Sequence, residues 1–143
     1  MRVMVMVKAT ADSEAGIMPT PELLEAMGRF NEELAEAGVM LAGEGLKPSS
    51  DGKRVAFDGP DRKVVDGPFA ATGELVAGFW LWEVADMDEA VEWVKRVPNP
   101  MGEKTAIEIR QIASIEDFGD ALPPELREQE ERLRQQVENK GKA

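Results

Sequence analysis

Two stretches of this chain are apolar on both faces at strand spacing, and that is the tightest constraint on how it can fold. In RVMVMVK, Arg2 to Lys8, Val3, Val5 and Val7 point one way and Met4 and Met6 the other, because successive strand side chains alternate between faces. In GFWLWEV, Gly78 to Val84, Phe79 and Leu81 oppose Trp80 and Trp82. A strand that accepts water on neither side belongs in the middle of a sheet. Helices can cover one face; the other must meet a second sheet or a second subunit.

The helices that could do the covering are legible. Thr20-Pro21-Glu22 is a helix start, with a Thr N-cap, Pro at the first position and an acid in the first turn. Leu23, Leu24, Met27, Phe30 and Leu34 form its stripe and Gly38 its stop. Asp86 with Glu89 three residues on resembles a capping box for a second helix, with stripe Ala90, Val91, Trp93 and Val94, closed by Pro98 and Pro100. Thr10 to Pro19 reads as a polar loop, Val39 to Ala42 as a strand, and AIEIRQI, Ala106 to Ile112, as the last strand. Asp58-Gly59-Pro60-Asp61 marks a hairpin between Lys53–Phe57 and Arg62–Asp66. The order β-α-β, hairpin, β-α-β predicts an α+β fold of the ferredoxin-like split βαβ kind, its antiparallel sheet carrying two helices on one face. The uncovered apolar face then predicts a two-fold homodimer packed sheet against sheet.

After Phe118-Gly119 the composition changes. ELREQEERLRQQVENKGKA is helix-forming with only Leu126, Leu133 and Val137 as apolar residues, which predicts a surface helix frayed from Asn139 onward. Residues 1–119 are expected as the main domain and 120–143 as a helical extension.

Composition narrows the chemistry. The chain of 143 residues has no cysteine and no histidine, which removes disulfides, thiolate and Ser-His nucleophiles, and Cys- or His-ligated metals. Tyrosine is absent too, so proton transfer is left to carboxylates, lysine, water or a bound molecule. With 17 basic against 28 acidic residues the net charge is −11, a field that repels nucleic acid and anionic membranes. No run approaches the ~20 apolar residues of a membrane helix. The N-terminal MRVMVMVKA is too short and too alternating for a signal peptide, so the expected location is cytoplasmic.

The candidate site is VVDGPFAATGELVAGF, residues 64–79. Two β-branched residues run into Asp66-Gly67-Pro68, where Gly67 can take a positive φ and Pro68 restricts it away from helix. Such a turn can hold the Asp66 carboxylate in place, with Phe69 as an apolar lid. Asp66 is the candidate general acid or base if burial against Trp80, Trp82 and Phe69 raises its pKa; otherwise it bonds the amides of its own turn. Glu74 is a candidate second acid, Glu44 between two glycines either a positioned carboxylate or a solvated residue at a bulge, and Arg110 or Arg54 a bidentate anion holder. No spacing calls for a metal, and no glycine loop has the context of a nucleotide site.

With these residues in view, the chain resembles the YCII-related family, and within it the DGPF branch. Asp66-Gly67-Pro68-Phe69-Ala70, Thr72, Glu74, Gly78 and Phe79 match its DGPFAETKE-like segment and the Gly-Phe strand after it, and AGEGLKPS upstream and EAVEWVKRVPNP, IEIRQI and EDFG downstream also resemble this branch. The resemblance covers roughly residues 1–119. It implies a dimeric α+β barrel, among whose wider relatives are lyases, isomerases, dehydrochlorinases and cofactor-free oxygenases, and, for the wider YCII family, a His–Asp pair in a cleft. It also implies an association of such proteins with extracytoplasmic-function sigma factors. Lys47 stands where relatives carry His, Ala71 where they carry an acid and Gly73 where they carry Lys, so only Asp66 carries over as a catalytic group. The expectation is a homodimer binding a small molecule at Asp66, Glu44, Lys47, Gly67, Pro68, Phe69, Glu74, Trp80, Trp82 and Arg110. It would act without cofactor or metal as a lyase or isomerase, or alternatively as a non-catalytic regulatory module.

Overall fold

β1 (Arg2–Lys8) and β5 (Val76–Glu83) are the two inner strands of the sheet, where their doubly apolar pattern puts them. In the computed structural model, which describes residues 1–70, 72–102 and 104–141, they pair antiparallel from Arg2↔Glu83 to Lys8↔Val76, with one irregularity after Val7. β2 (Met40–Gly45) flanks β5 and β6 (Ile107–Gln111) flanks β1, giving the antiparallel order β2-β5-β1-β6. α2 (Pro21–Glu36) connects β1 to β2 and α3 (Met87–Lys95) connects β5 to β6. This is the ferredoxin-like split βαβ arrangement that the sequence predicts.

Val3, Val5, Val7, Trp80, Trp82 and Val84 face the helices and close on Phe30, Leu34 and Ala90. Phe30 is the hub of an aromatic cluster, with ring centroids 6.1 Å from Trp80, 6.5 Å from Trp82 and 6.2 Å from Trp93, separations at which edge-to-face contacts add to burial. The indole N–H of Trp80 donates to Asn31 at 2.9 Å. Gly43 lies opposite Trp80, and a Cβ there would come within 2.8 Å of the indole ring. The stripe of α2 is narrower than its sequence suggests. Leu24 is 57% exposed, because at about 100° per residue it lies to one side of the line through Leu23, Met27, Phe30 and Leu34.

The N-cap residues are those expected, Asp86 through its own side chain rather than a full capping box. Thr20 Oγ1 accepts from Leu23 N–H at 3.2 Å, and Asp86 Oδ1 from Glu89 N–H at 2.8 Å. Gly38 has φ +72° at the end of α2. The loop expected at 10–19 instead begins with a one-turn helix, α1 (Ala11–Glu14). Thr10 and Ser13 form its capping box, Ser13 N–H donating to Thr10 Oγ1 at 3.2 Å and Thr10 N–H to Ser13 Oγ at 2.8 Å.

The opposite face of the sheet carries Met4, Met6, Phe79 and Leu81, all half-buried. Lys8, Glu108 and Arg110 form a charged row at its β6 edge. Lys8 Nζ lies 3.2 Å from Glu108 and Arg110 3.5 Å from the same carboxylate. Lys8, through a hydrogen bond and its charge, and then Arg110 hold the Glu108 carboxyl below its ordinary pKa.

β3 (Lys53–Asp58) and β4 (Asp61–Asp66) form a separate two-stranded ribbon, paired from Lys53↔Asp66 to Asp58↔Asp61. Gly59 (φ +56°) followed by Pro60 has the φ signs of a type II′ turn.

The chain divides after Gln111. In the second unit, Ser114 N–H donates to Asp117 at 2.7 Å and opens a 3₁₀ segment, Ile115–Ala121. α4 (Pro124–Gly141) follows with no buried residue. The helix thus continues past Asn139, where fraying was expected; Lys142 and Ala143 lie outside the described residues, as does Ala71.

Candidate functional site

Beside the ribbon, three segments distant in sequence meet at one hydroxyl. Glu14 ends α1, Ser49 opens the 3₁₀ turn Ser49–Asp51, and Phe69 follows the Asp66-Gly67-Pro68 turn. The Glu14 carboxylate accepts from Ser49 N–H at 3.1 and 3.2 Å and also from Ser49 Oγ. Ser49 Oγ in turn accepts from Phe69 N–H at 3.0 Å. A hydroxyl donating to a carboxylate and accepting from an amide has its proton and one lone pair fixed. These groups border a cleft of about 330 Å³ lined by Leu46, Lys47, Pro48, Gly52, Leu75 and Val76 together with Glu14, Ser49, Asp51 and Phe69. Apolar walls with a few converging polar groups are the usual make-up of a small-molecule site.

The turn at 66–68 positions this cleft differently from the sequence expectation. Gly67 does not have a positive φ. It is needed for close approach, since a Cβ there would overlap the Ser49 carbonyl oxygen. Its N–H donates to Gly52 O at 3.0 Å, joining the turn to the far side of the cleft. The Gly67–Pro68 bond is cis. The guanidinium of Arg54 lies 4.0 Å above the Phe69 ring, within the range of a cation–π contact, so the ribbon braces the aromatic wall.

Of the residues expected at a site, Lys47 and Phe69 line the cleft and Gly67 and Pro68 shape the turn behind it. Asp66 does not enter it. Its side chain is 74% exposed at the base of the ribbon and ion-paired with Lys53. Trp80 and Trp82 are on the helix side of the sheet, buried under Phe30, so they cannot supply the apolar wall expected around that carboxylate. Glu44, opposite Phe79, and Arg110, opposite Met4, are exposed on the sheet face turned away from the helices. Glu74 is exposed in the turn Thr72–Glu74, outside the cleft lining. Glu14 and Ser49 went unrecognised in the sequence. They stand 35 residues apart, and the only local hint was that Ser49 ends the AGEGLKPS segment.

A smaller hollow of about 200 Å³ lies between the end of α3 and Thr105–Ile107. No ionisable side chain among the described residues lines it. Among the described residues no three acidic side chains gather as a metal site, and no helix is long and apolar enough to cross a membrane.

Comparison with known proteins agrees with this geometry in extent. The YCII-related domain matches residues 1–116, a span that holds α1, the 3₁₀ turn, the ribbon and the whole sheet. The chain is also 26% identical over 91 residues to an uncharacterized protein of Rhizobium meliloti (strain 1021), covering 64% of this chain and 73% of that one.

Proposed function

The chain belongs to the YCII-related family, and we propose that it is a small-molecule-binding member whose ligand occupies the Glu14–Ser49–Phe69 cleft. The observation that carries this is the convergence of the Glu14 carboxylate, the oriented Ser49 hydroxyl and the Phe69 ring on a largely apolar cleft that Lys47 and Asp51 also border. The geometry favours a ligand with an apolar body packed on Phe69, Leu46 and Leu75. A hydroxyl, amine or acidic C–H on that ligand would face Glu14.

If the cleft is catalytic, the step is a cofactor-independent lyase or isomerase reaction. Glu14 supports the acid–base role better than Asp66, because only Glu14 borders a cleft, and Ser49 relays or orients its proton. The working form is a homodimer through the open sheet face, where Met4, Met6, Phe79 and Leu81 would leave water. The second reading is a non-catalytic regulatory module in which Asp66 belongs to a protein-contact surface. The exposure of the whole β3–β4 ribbon supports it.

A metabolite screen by thermal shift separates these readings. Ligands that raise the melting temperature of the wild type should lose that effect in Glu14→Gln and Ser49→Ala and keep it in Asp66→Asn. Loss in Asp66→Asn alone would return the site to Asp66.

A further inference from the structure

Glu14, Lys47 and Asp51 are the ionisable side chains that border the cleft, and they are not in the same condition. The Glu14 carboxylate is engaged by the amide and the hydroxyl of Ser49. The side chains of Lys47 and Asp51 make no hydrogen bond or ion pair with any described residue. Other charges of the same segment are occupied, since Lys53 pairs with Asp66 and Arg54 lies over the Phe69 ring.

Lys47 and Asp51 are close in sequence and opposite in charge, yet they do not pair with each other. Pro48, with φ −54°, and the 3₁₀ turn Ser49–Asp51 lie between them. Asp51 N–H donates to Pro48 O at 3.0 Å and Gly52 N–H to Ser49 O at 2.9 Å, so the backbone that carries both side chains is fixed. Leu46, Pro48, Phe69, Leu75 and Val76 make most of the remaining lining apolar.

The cleft thus offers one cation and one anion without partners beside an apolar wall. A ligand with a single charge leaves one of them opposed. An anion would satisfy Lys47 but lie against the carboxylates of Asp51 and Glu14, and a phosphate would meet more repulsion still. A cation would satisfy Asp51 but face the Lys47 ammonium across a largely apolar space, where charges interact more strongly than in water. A small zwitterion with an apolar body meets every group with its complement. The volume of about 330 Å³ is at the small end of the ~300–1,000 Å³ of ligand sites, which suits a single amino acid rather than a peptide or a nucleotide. The chain's net charge of −11 would repel an approaching anion but not a molecule with no net charge.

We propose that this cleft takes a free apolar α-amino acid. Its carboxylate sits on Lys47, its ammonium on Asp51 beside Glu14, and its side chain on Phe69 and Leu75. This rests on the cleft being the ligand site, as proposed above, and narrows what the site accepts.

The test is calorimetric titration of the full chain, with amide chemical shifts to place the ligand. The probes are leucine, methionine and phenylalanine, each beside the amine that lacks its carboxylate and the acid that lacks its amino group. At least one amino acid should bind the wild type about tenfold or more tighter than either of its one-charge relatives, as expected for a hydrogen bond between charged groups. The amides of Ser49, Gly52 and Phe69 should move. In Lys47→Gln the amino acid should fall to the affinity of its amine, and in Asp51→Asn to that of its acid. Both side chains are exposed, so neither variant disturbs the core. An amino acid and one of its relatives binding equally, with the same amides moving, would overturn the ligand class and leave the cleft as the site. Full affinity in both variants, with shifts far from Ser49 and Phe69, would overturn the class and the cleft together. No response to any compound of the panel would overturn the class, and the metabolite screen would then decide the cleft by itself.

Discussion

Replacing Gly67 by alanine tests whether the Asp66-Gly67-Pro68 turn is pressed against the Ser49 backbone as described. The added Cβ would overlap the Ser49 carbonyl oxygen and also meet Gly52 O at 3.3 Å. The obstacles are backbone atoms, so rotating a side chain cannot relieve them. Either the turn or the Ser49–Asp51 segment must shift, which is an overpacking cost of about 1–3 kcal/mol. Weakening the Gly67 N–H to Gly52 O bond adds about 1 kcal/mol, and the lower entropy of the unfolded alanine chain returns roughly 0.4–1 kcal/mol. The net is a loss of about 1–3 kcal/mol. At roughly 3–4 °C per kcal/mol for a chain of this size, the melting temperature should fall by about 3–12 °C. Gly28→Ala is the control, because it sits within α2 with nothing within 4 Å of a Cβ and should gain roughly 0.5–1 kcal/mol. Calorimetry on the two variants decides. A Gly67→Ala protein that melts with the wild type would refute the close approach, and with it the account of how the turn places Phe69.

Three further outcomes follow from the same geometry. Glu108 has a carboxyl lowered by Lys8 and Arg110, so its contribution is fully present above the unfolded value near pH 4.3. That contribution is lost as pH falls through the lower folded value; the melting difference between wild type and Glu108→Gln should therefore be constant from pH 7 to about 5 and vanish in more acid solution. Asp66→Ala removes only an exposed ion pair with Lys53 and should cost less than about 1 kcal/mol, read by urea denaturation; a larger loss would mean the carboxylate also holds its turn. Leu34→Ala opens a cavity at a fully buried position beside Trp82 and Phe30 and should cost about 2–5 kcal/mol with no change in strand pairing.

The sheet was legible because its constraint is local. RVMVMVK and GFWLWEV each declare two dry faces, and only the inner strands of a sheet satisfy that. The ribbon was legible for the same reason, since Asp58-Gly59-Pro60-Asp61 specifies its own turn. The cleft was not, because what makes it is a set of long-range bonds. Glu14 reaches Ser49 across 35 residues and Ser49 reaches Phe69 across 20, and no spacing rule joins them. The one-turn helix that aims Glu14 was hidden by its length, as Thr10 and Ser13 cap only four residues. Gly67 shows the same limit at a single position. Sequence supplies positive φ as the usual reason for such a glycine, whereas here the reason is another segment's backbone, which no local reading contains. Trp80 and Trp82 were expected on the side of the sheet away from Phe79 and Leu81, and they are there. What sequence left open was which side carries the cleft, and Asp66 with its ribbon reaches neither tryptophan.

The most direct test of the central claim is an amide chemical-shift titration of the wild-type chain with a ligand found by thermal shift. The account predicts that the amides of Ser49, Gly52 and Phe69 move first and furthest, and that Ser49→Ala abolishes the response. Shifts centred on Asp66 in the ribbon, or on Met4, Met6, Phe79 and Leu81 across the open sheet face, would contradict it.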